Sequence, residues 1–152
     1  MGTQIGPLAV RRSIWIDAKP ERVWQEFESL ERMQAWYGTG HKLTKYEPRV
    51  GGIVETDAGQ SNEGGERLLF GGKIIVFDPP RELTFEDDWY GHGWTAPPLF
   101  TFRLTEAAGG TVVELFHHAF ERTGASPSET LNGFEGGWTI RQLEALRQIV
   151  EA

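Results

Sequence analysis

Cysteine is absent from the 152 residues, which removes disulfides, thiolate nucleophiles and zinc-thiolate sites and leaves the redox compartment undetermined. Long apolar runs are absent too: no segment approaches the roughly 18 consecutive residues of a membrane-spanning helix, and no signal-peptide core is present. The expectation is a cytoplasmic protein with no membrane insertion. Positive charge is scarce, with 15 Lys and Arg against 22 Asp and Glu for a net charge of -7, and the basic residues form no cluster. That argues against nucleic acid and anionic membrane as partners, because phosphate binding needs clustered cations. Recognisable catalytic signatures are missing as well. The Gly-Gly stretch in DAGQSNEGGE (57–66) is followed by no Lys-Ser/Thr, so it is no phosphate loop, and no Gly-x-Ser-x-Gly elbow occurs.

Glycine and proline, by contrast, are plentiful at 19 and 8 residues, and their positions punctuate short strand-like runs. LAVRRSIWI (8–16) alternates as a strand. Pro20 opens a helix carrying Val23, Trp24 and Phe27, and Ser29 caps a second one carrying Leu30, Met33, Trp36 and Tyr37, which ends at Gly38. Six further strands are predicted at 42–47, 52–57, 66–77, 81–90, 99–106 and 111–118, with Gly71 and Gly72 suggesting a bulge that bends the sheet. Ser126, Pro127 and Glu129 then form a helix start. One helix over 127–151 would be about 37 Å long at 1.5 Å per residue, enough to cross such a sheet. The chain length fits a single domain, residues 1–152.

Within that last helix Leu131, Phe134, Trp138, Leu146, Ile149 and Val150 share a broad apolar side, yet Glu135, Thr139 and Gln142 fall inside it. Unpaired polar groups in a solid core cost about 1 to 3 kcal/mol each, so water or a ligand beneath the helix would account for them. Gly133, Gly136 and Gly137 point elsewhere and fit a close backbone approach, a kink, or fraying of the first turns.

Several motifs carry a family resemblance: ERVWQEF after the first strand, LERMQAWYG, RVGG (49–52), GGKIIVFDPPRELTFE (71–86), GGTVVELFHHAF (109–120) and GGWTIRQLEAL (136–146). In order and spacing the chain resembles the START-like (SRPBCC, birch-pollen-allergen-like) superfamily, and within it the branch homologous to the activator of the heat-shock protein 90 ATPase. The resemblance implies an α+β helix-grip fold: a seven-stranded curved antiparallel sheet wrapped around a long C-terminal helix, with two short helices between strands one and two. It also implies a cavity between sheet and helix that binds a small apolar or amphipathic molecule such as a lipid. Glu86 and Asp87 stand where the family commonly has Thr-Trp, placing an acid where an aromatic wall is usual.

Side-chain alternation places Val113, Leu115 and His117 on one face of the last strand and Val112, Glu114, Phe116 and His118 on the other, so the adjacent histidines do not chelate one metal ion. No metal and no cofactor are expected. By the same parity Leu83, Phe85, Asp87 and Trp89 share a face, which the resemblance makes the concave one. The candidate ligand-binding set is Trp36, Tyr37, Val54, Phe85, Asp87, Trp89, Phe102, His117, Glu135, Trp138 and Gln142. Asp87, His117 and Glu135 are the candidates for acid/base chemistry; a His and an Asp satisfied by backbone or water is the alternative. Trp15, Trp24 and Trp138 read as core, while DWYGHGWTAPP (88–98) reads as a mobile lip or a packed loop. Binding of an apolar ligand, a cyclase-, dehydratase- or hydrolase-like enzyme, and a chaperone co-regulator are the three functional expectations. A close homodimer contact along Gly133 and Gly137 is a further one.

Overall fold

In the computed structural model, residues 3–37, 41–61, 63–89, 94, 96–124 and 140–152 are described. The strand β1 (Ala9–Ile16) leads into helix α1 (Pro20–Trp24), a 3₁₀ turn (Gln25–Phe27) and helix α2 (Leu30–Gln34). Proline opens α1, and the Ser29 side chain accepts a hydrogen bond from Arg32 N at 3.2 Å to cap α2, as the sequence predicts. Then come β2 (Lys42–Tyr46), β3 (Ile53–Ser61), β4 (Arg67–Asp78), β5 (Glu82–Glu86), β6 (Asp88–Trp89), β7 (Leu99–Ala107) and β8 (Gly110–His118). A 3₁₀ turn (Phe120–Thr123) and helix α3 (Arg141–Glu151) complete the described elements. Of the predicted helix over 127–151, residues 127–139 lie outside the described residues.

The sheet is antiparallel throughout and runs β1-β8-β7-β5-β4-β3-β2, so the first strand pairs with the last. These are the seven predicted strands, with one subdivision. The run 81–90 is interrupted at Asp87, whose N–H still bonds Pro98 O at 2.9 Å in the register of β5 and β7, and the two residues of β6 beyond it pair with β4. The bend also differs from expectation. Pairing of β3 with β4 is continuous through Gly71 and Gly72; the irregularity in β4 falls between Ile74 and Val76, where Ile75 is the extra residue. The glycines serve close approach: a Cβ on Gly72 would lie 2.7 Å from Glu86 O. Trp15 is likewise not core. It is 41% exposed on the outer face, donating from Nε1 to Ala107 O at 2.8 Å.

The concave side buries Ile16, Val23, Phe27, Met33, Trp36, Val54, Phe85, Phe102 and Leu115 together with Leu143 and Leu146 of α3. Helix α3 lies against β1, with Glu151 Oε2 accepting from Asp17 N at 2.9 Å. No helix among the described residues is long and apolar enough to cross a membrane.

The convex side is buried in one place that the alternation pattern leaves open to solvent. Residues 3–8 run over β5, β7 and β8, and beneath them lies a polar ladder. Thr84 Oγ1 donates to Glu82 Oε2 (2.8 Å), Thr84 and Thr101 hydroxyls meet at 2.9 Å, and Thr101 Oγ1 meets His118 Nε2 at 2.8 Å. Burial alone would raise the Glu82 carboxyl, but hydrogen bonds from Thr3 and Thr84 and the Arg103 guanidinium outweigh it and hold the group below its ordinary value. An ionised Glu82 can only accept. Thr84 must therefore donate to it, Thr101 must donate to Thr84, and His118 must donate from Nε2, so that nitrogen carries a proton.

Burial drives the His118 imidazole down to about 4 from 6.5, with His117, Arg103 and Arg11 acting in the same direction and Glu82 opposing. The folded state then binds fewer protons than the unfolded state between those values. Its contribution to stability is complete above the unfolded value of 6.5 and is lost as pH falls toward about 4. At 1.36 kcal/mol per unit, discounted for solvent reaching the ring from the pocket between Pro7, Leu8 and Glu121, the loss is about 2 kcal/mol. Urea midpoints of the native protein and His118→Gln should diverge most at pH 7 and converge by pH 4. A gap of constant size across that range would disprove the neutral buried histidine.

Candidate functional site

Two rows of inward-facing side chains cross the sheet. In one, Leu115 of β8, Phe102 of β7 and Leu83 of β5 are register partners; in the next, Val10, His117, Phe100, Phe85 and Ile74 are. The first row is closed by rings from the helix pair. Trp36 is fully buried, 4.9 Å from Phe27 and 5.3 Å from Phe102, and its Nε1 donates to Glu26 O at 3.0 Å. Glu26 is itself buried, held by Arg22 at 2.6 Å and Arg32 at 3.0 Å. This end of the interior is packed.

One row further along, the character changes. Tyr37 stands over Phe85, Phe100 and Phe102 at ring separations of 6.4, 6.1 and 6.0 Å, and Phe85 stacks on Phe100 at 5.3 Å. His117 lies 5.6 Å from the Phe100 ring and 5.3 Å from that of Phe120. Its Nε2 is 3.1 Å from Asp87 Oδ2, and both side chains are buried. Asp87 and His117, which parity places on inward faces, are thus neighbours across thirty residues of sequence.

Three buried polar oxygens in this interior make no hydrogen bond among the described residues: Asp87 Oδ1, Thr56 Oγ1 and Gln142 Oε1. Asp87 and Thr56 both act on Tyr37. Burial pushes its phenol well above the ordinary value, the Asp87 charge pushes it further, and the neighbouring Thr56 hydroxyl offsets a part, though without the geometry of a formed hydrogen bond. Tyr37 is therefore a neutral donor at every physiological pH. Gln142 projects from the buried side of α3, in its first turn. That turn is about 13 Å along the helix axis from the Glu151 contact with β1.

Of the predicted set, the structure gathers Tyr37, Phe85, Asp87 and His117 around one region. It places Trp36 and Phe102 in the packed end, and sets Val54 on β3 in the core. Trp89 is placed only by its backbone, paired with Phe70; its side chain, Glu135, Trp138 and residues 90–93 and 95 of the expected lip lie outside the described residues. Sequence reasoning missed Thr56 and Phe100. Each is two residues from a chosen position, Val54 and Phe102, so the period of two would have found both. Among the described residues no three His, Asp or Glu side chains converge to hold a metal ion. What the arrangement offers chemically is a carboxylate-imidazole pair, a phenol and unsatisfied acceptors against aromatic rings.

No curated protein matches the chain in sequence. Solved structures of similar fold include protein CV1439 from Chromobacterium violaceum (21% identity, 97% of this chain and 99% of that one, TM-score 0.69). CalU16 from Micromonospora echinospora is similar at 22% identity, over 97% and 81% of the two chains, with a TM-score of 0.63. The Aha1 dimer from Colwellia psychrerythraea is similar at 15% identity, over 94% and 96%, with a TM-score of 0.64. At these identities the likeness is one of fold. The family model for Activator of Hsp90 ATPase homolog 1-like protein matches residues 17–151, from the end of β1 through α3, and so takes in both the aromatic rows and the Asp87–His117 pair. The chain belongs to that family.

Proposed function

We propose that the protein binds a small, largely apolar molecule between the concave face of the sheet and α3. One observation carries the reading: Asp87 Oδ1, Thr56 Oγ1 and Gln142 Oε1 are buried and without hydrogen-bond partners among the described residues, and the first two act on Tyr37, which stands against Phe85 and Phe100. Each such group costs about 1 to 3 kcal/mol if left unsatisfied, and three together are a large fraction of a protein's net stability. An occupant that meets them removes the cost. A mostly apolar surround with a few polar groups that fix orientation is the usual make-up of a small-molecule site.

Native mass spectrometry of freshly purified protein tests this. The expected spectrum contains a bound species of a few hundred daltons, the size such sites accommodate, that is lost on mild activation. A spectrum of bare chain only, from cells and after incubation with a lipid and aromatic extract, would refute the reading.

The separation of 3.1 Å between His117 and Asp87 favours a second reading, acid/base catalysis on the bound molecule. Turnover that survives both Asp87→Asn and His117→Gln would eliminate it.

A further inference from the structure

We infer that the convex face carries a recognition site for an extended, threonine-bearing segment, which each molecule fills with its own residues 3–8 and which accepts the same segment from a second copy. The site lies on the opposite side of the sheet from Asp87 and Tyr37 and is independent of the binding role proposed above.

Every backbone and side-chain polar group of Thr3 is met by the sheet. Its N–H donates to both oxygens of Glu82 at 3.1 Å, its hydroxyl donates to Glu82 Oε2, and its carbonyl accepts from Arg103. Glu82 is 3% exposed and is also held by Thr84 at 2.8 Å and Arg103 at 3.1 Å, so the reading groups belong to the sheet rather than to the segment. Three residues on, the Gly6 carbonyl accepts from Arg11 at 2.9 Å. Both guanidiniums stand over the Phe116 ring, Arg11 at 5.4 Å and Arg103 at 5.7 Å from its centroid, which sets two carbonyl readers at the spacing of Thr3 and Gly6. Bonds to the main chain supply affinity for an extended segment, and the ionised acceptor for the threonine hydroxyl supplies selectivity.

The segment is attached in a way that lets it leave. Hydrogen bonds reach it at Thr3 and Gly6, and a cavity of about 240 Å³ remains between Gln4, Gly6, Pro7 and Leu8 on one side and His118, Ala119 and Glu121 on the other. Pro7 and Leu8 form the bend that leads into β1, whose pairing with β8 begins only at Ala9. Turning at this bend carries Thr3 off its own sheet and leaves the ladder intact. Residues 3–6 of a second copy remake each bond, that of Arg11 included, as in an exchange of identical elements between protomers. A short tether supplies an effective concentration of order millimolar, which keeps the single molecule closed in dilute solution.

Two full-length variants separate segment from site. Thr3→Asp sets a second carboxylate against Glu82, releasing the segment and leaving the site; Glu82→Gln removes the ionised acceptor and leaves a free native segment. At concentrations where each variant alone sediments as a monomer, their equimolar mixture should sediment as a heterodimer. In a second measurement, an N-acetylated fluorescent peptide of residues 3–8 is titrated into each protein and followed by anisotropy. It should bind Thr3→Asp about tenfold or more tighter than the native protein, whose own segment competes. The same peptide carrying Thr3→Val should bind Thr3→Asp about tenfold or more weaker, because it strands part of the Glu82 acceptor. That comparison changes no residue of the protein, so the assignment stays testable if Glu82→Gln does not fold. Peptide binding without a heterodimer overturns the second copy as occupant. Equal binding to native and Thr3→Asp proteins, equal binding of the two peptides, or no binding at all overturns the recognition site.

Discussion

Trp36→Ala should lower stability by about 4 kcal/mol, within the range of about 3 to 5 for emptying a buried aromatic site. The ring is fully buried, wedged between Phe27, Tyr37 and Phe102, with Nε1 donating to Glu26 O. Alanine leaves a hole that the surrounding rings cannot close without leaving their own contacts, and it strands the Glu26 carbonyl in the interior. A change of that size corresponds to a fall in melting temperature of roughly 8 to 16 °C for a chain of this length. Trp36→Phe, which keeps a ring and loses only the N–H and part of the volume, should cost about half as much. The contrast also decides what Trp36 is for. A residue in the packed end affects folding first, so the bound species seen by native mass spectrometry should persist in the folded Trp36→Phe protein. A cost below about 1 kcal/mol for the alanine variant, with binding abolished, would make Trp36 a wall of the binding site instead.

The sequence was informative wherever periodicity meets one buried face. Alternation in TVVELFHH turns His117 and His118 to opposite sides, and alternation from Leu83 to Asp87 survives the break after β5 because Asp87 still faces inward, at 3.1 Å from His117. Capping at Ser29 and the proline start of α1 are local chemistry, and both hold. What periodicity could not convey is burial on the second face. Glu82, Thr84, Thr101 and His118 read as solvent-facing, yet they are buried by residues 3–8, a segment with no pattern of its own that is held by hydrogen bonds such as those of Thr3 to Glu82 and of Arg11 to Gly6 O. Glu26 is only half legible: Arg22 reaches it at the i,i+4 spacing of a helix, whereas Arg32 reaches it only after the chain turns through the 3₁₀ segment into α2. The bulge was misplaced by three residues because a glycine marks either an irregular ladder or a close backbone approach, and sequence alone does not tell them apart.

That ambiguity at Gly71 yields the second large effect. The residue has φ +132°, a region that side chains avoid at a cost of about 1 to 3 kcal/mol, and a Cβ built there would collide with the carbonyl oxygen of Val54 on β3. The two penalties act together in Gly71→Ala, which should be destabilised by roughly 3 to 4 kcal/mol. Gly59→Ala separates them: its φ is +78°, but a Cβ there meets nothing within 4 Å, so only the conformational part, about 1 kcal/mol, should appear. Relief of the clash at Gly71 requires β3 and β4 to part where Glu55 faces Gly71 and Asp88 pairs on the other side. The displaced strand carries Thr56, and the displaced two-residue β6 adjoins Asp87, so the surviving folded fraction should also lose the bound species seen by native mass spectrometry. Chemical denaturation of the two variants side by side measures the first effect, and native mass spectrometry measures the second. Equal costs for Gly59→Ala and Gly71→Ala would mean that the backbones of β3 and β4 are not in the close contact on which the argument depends.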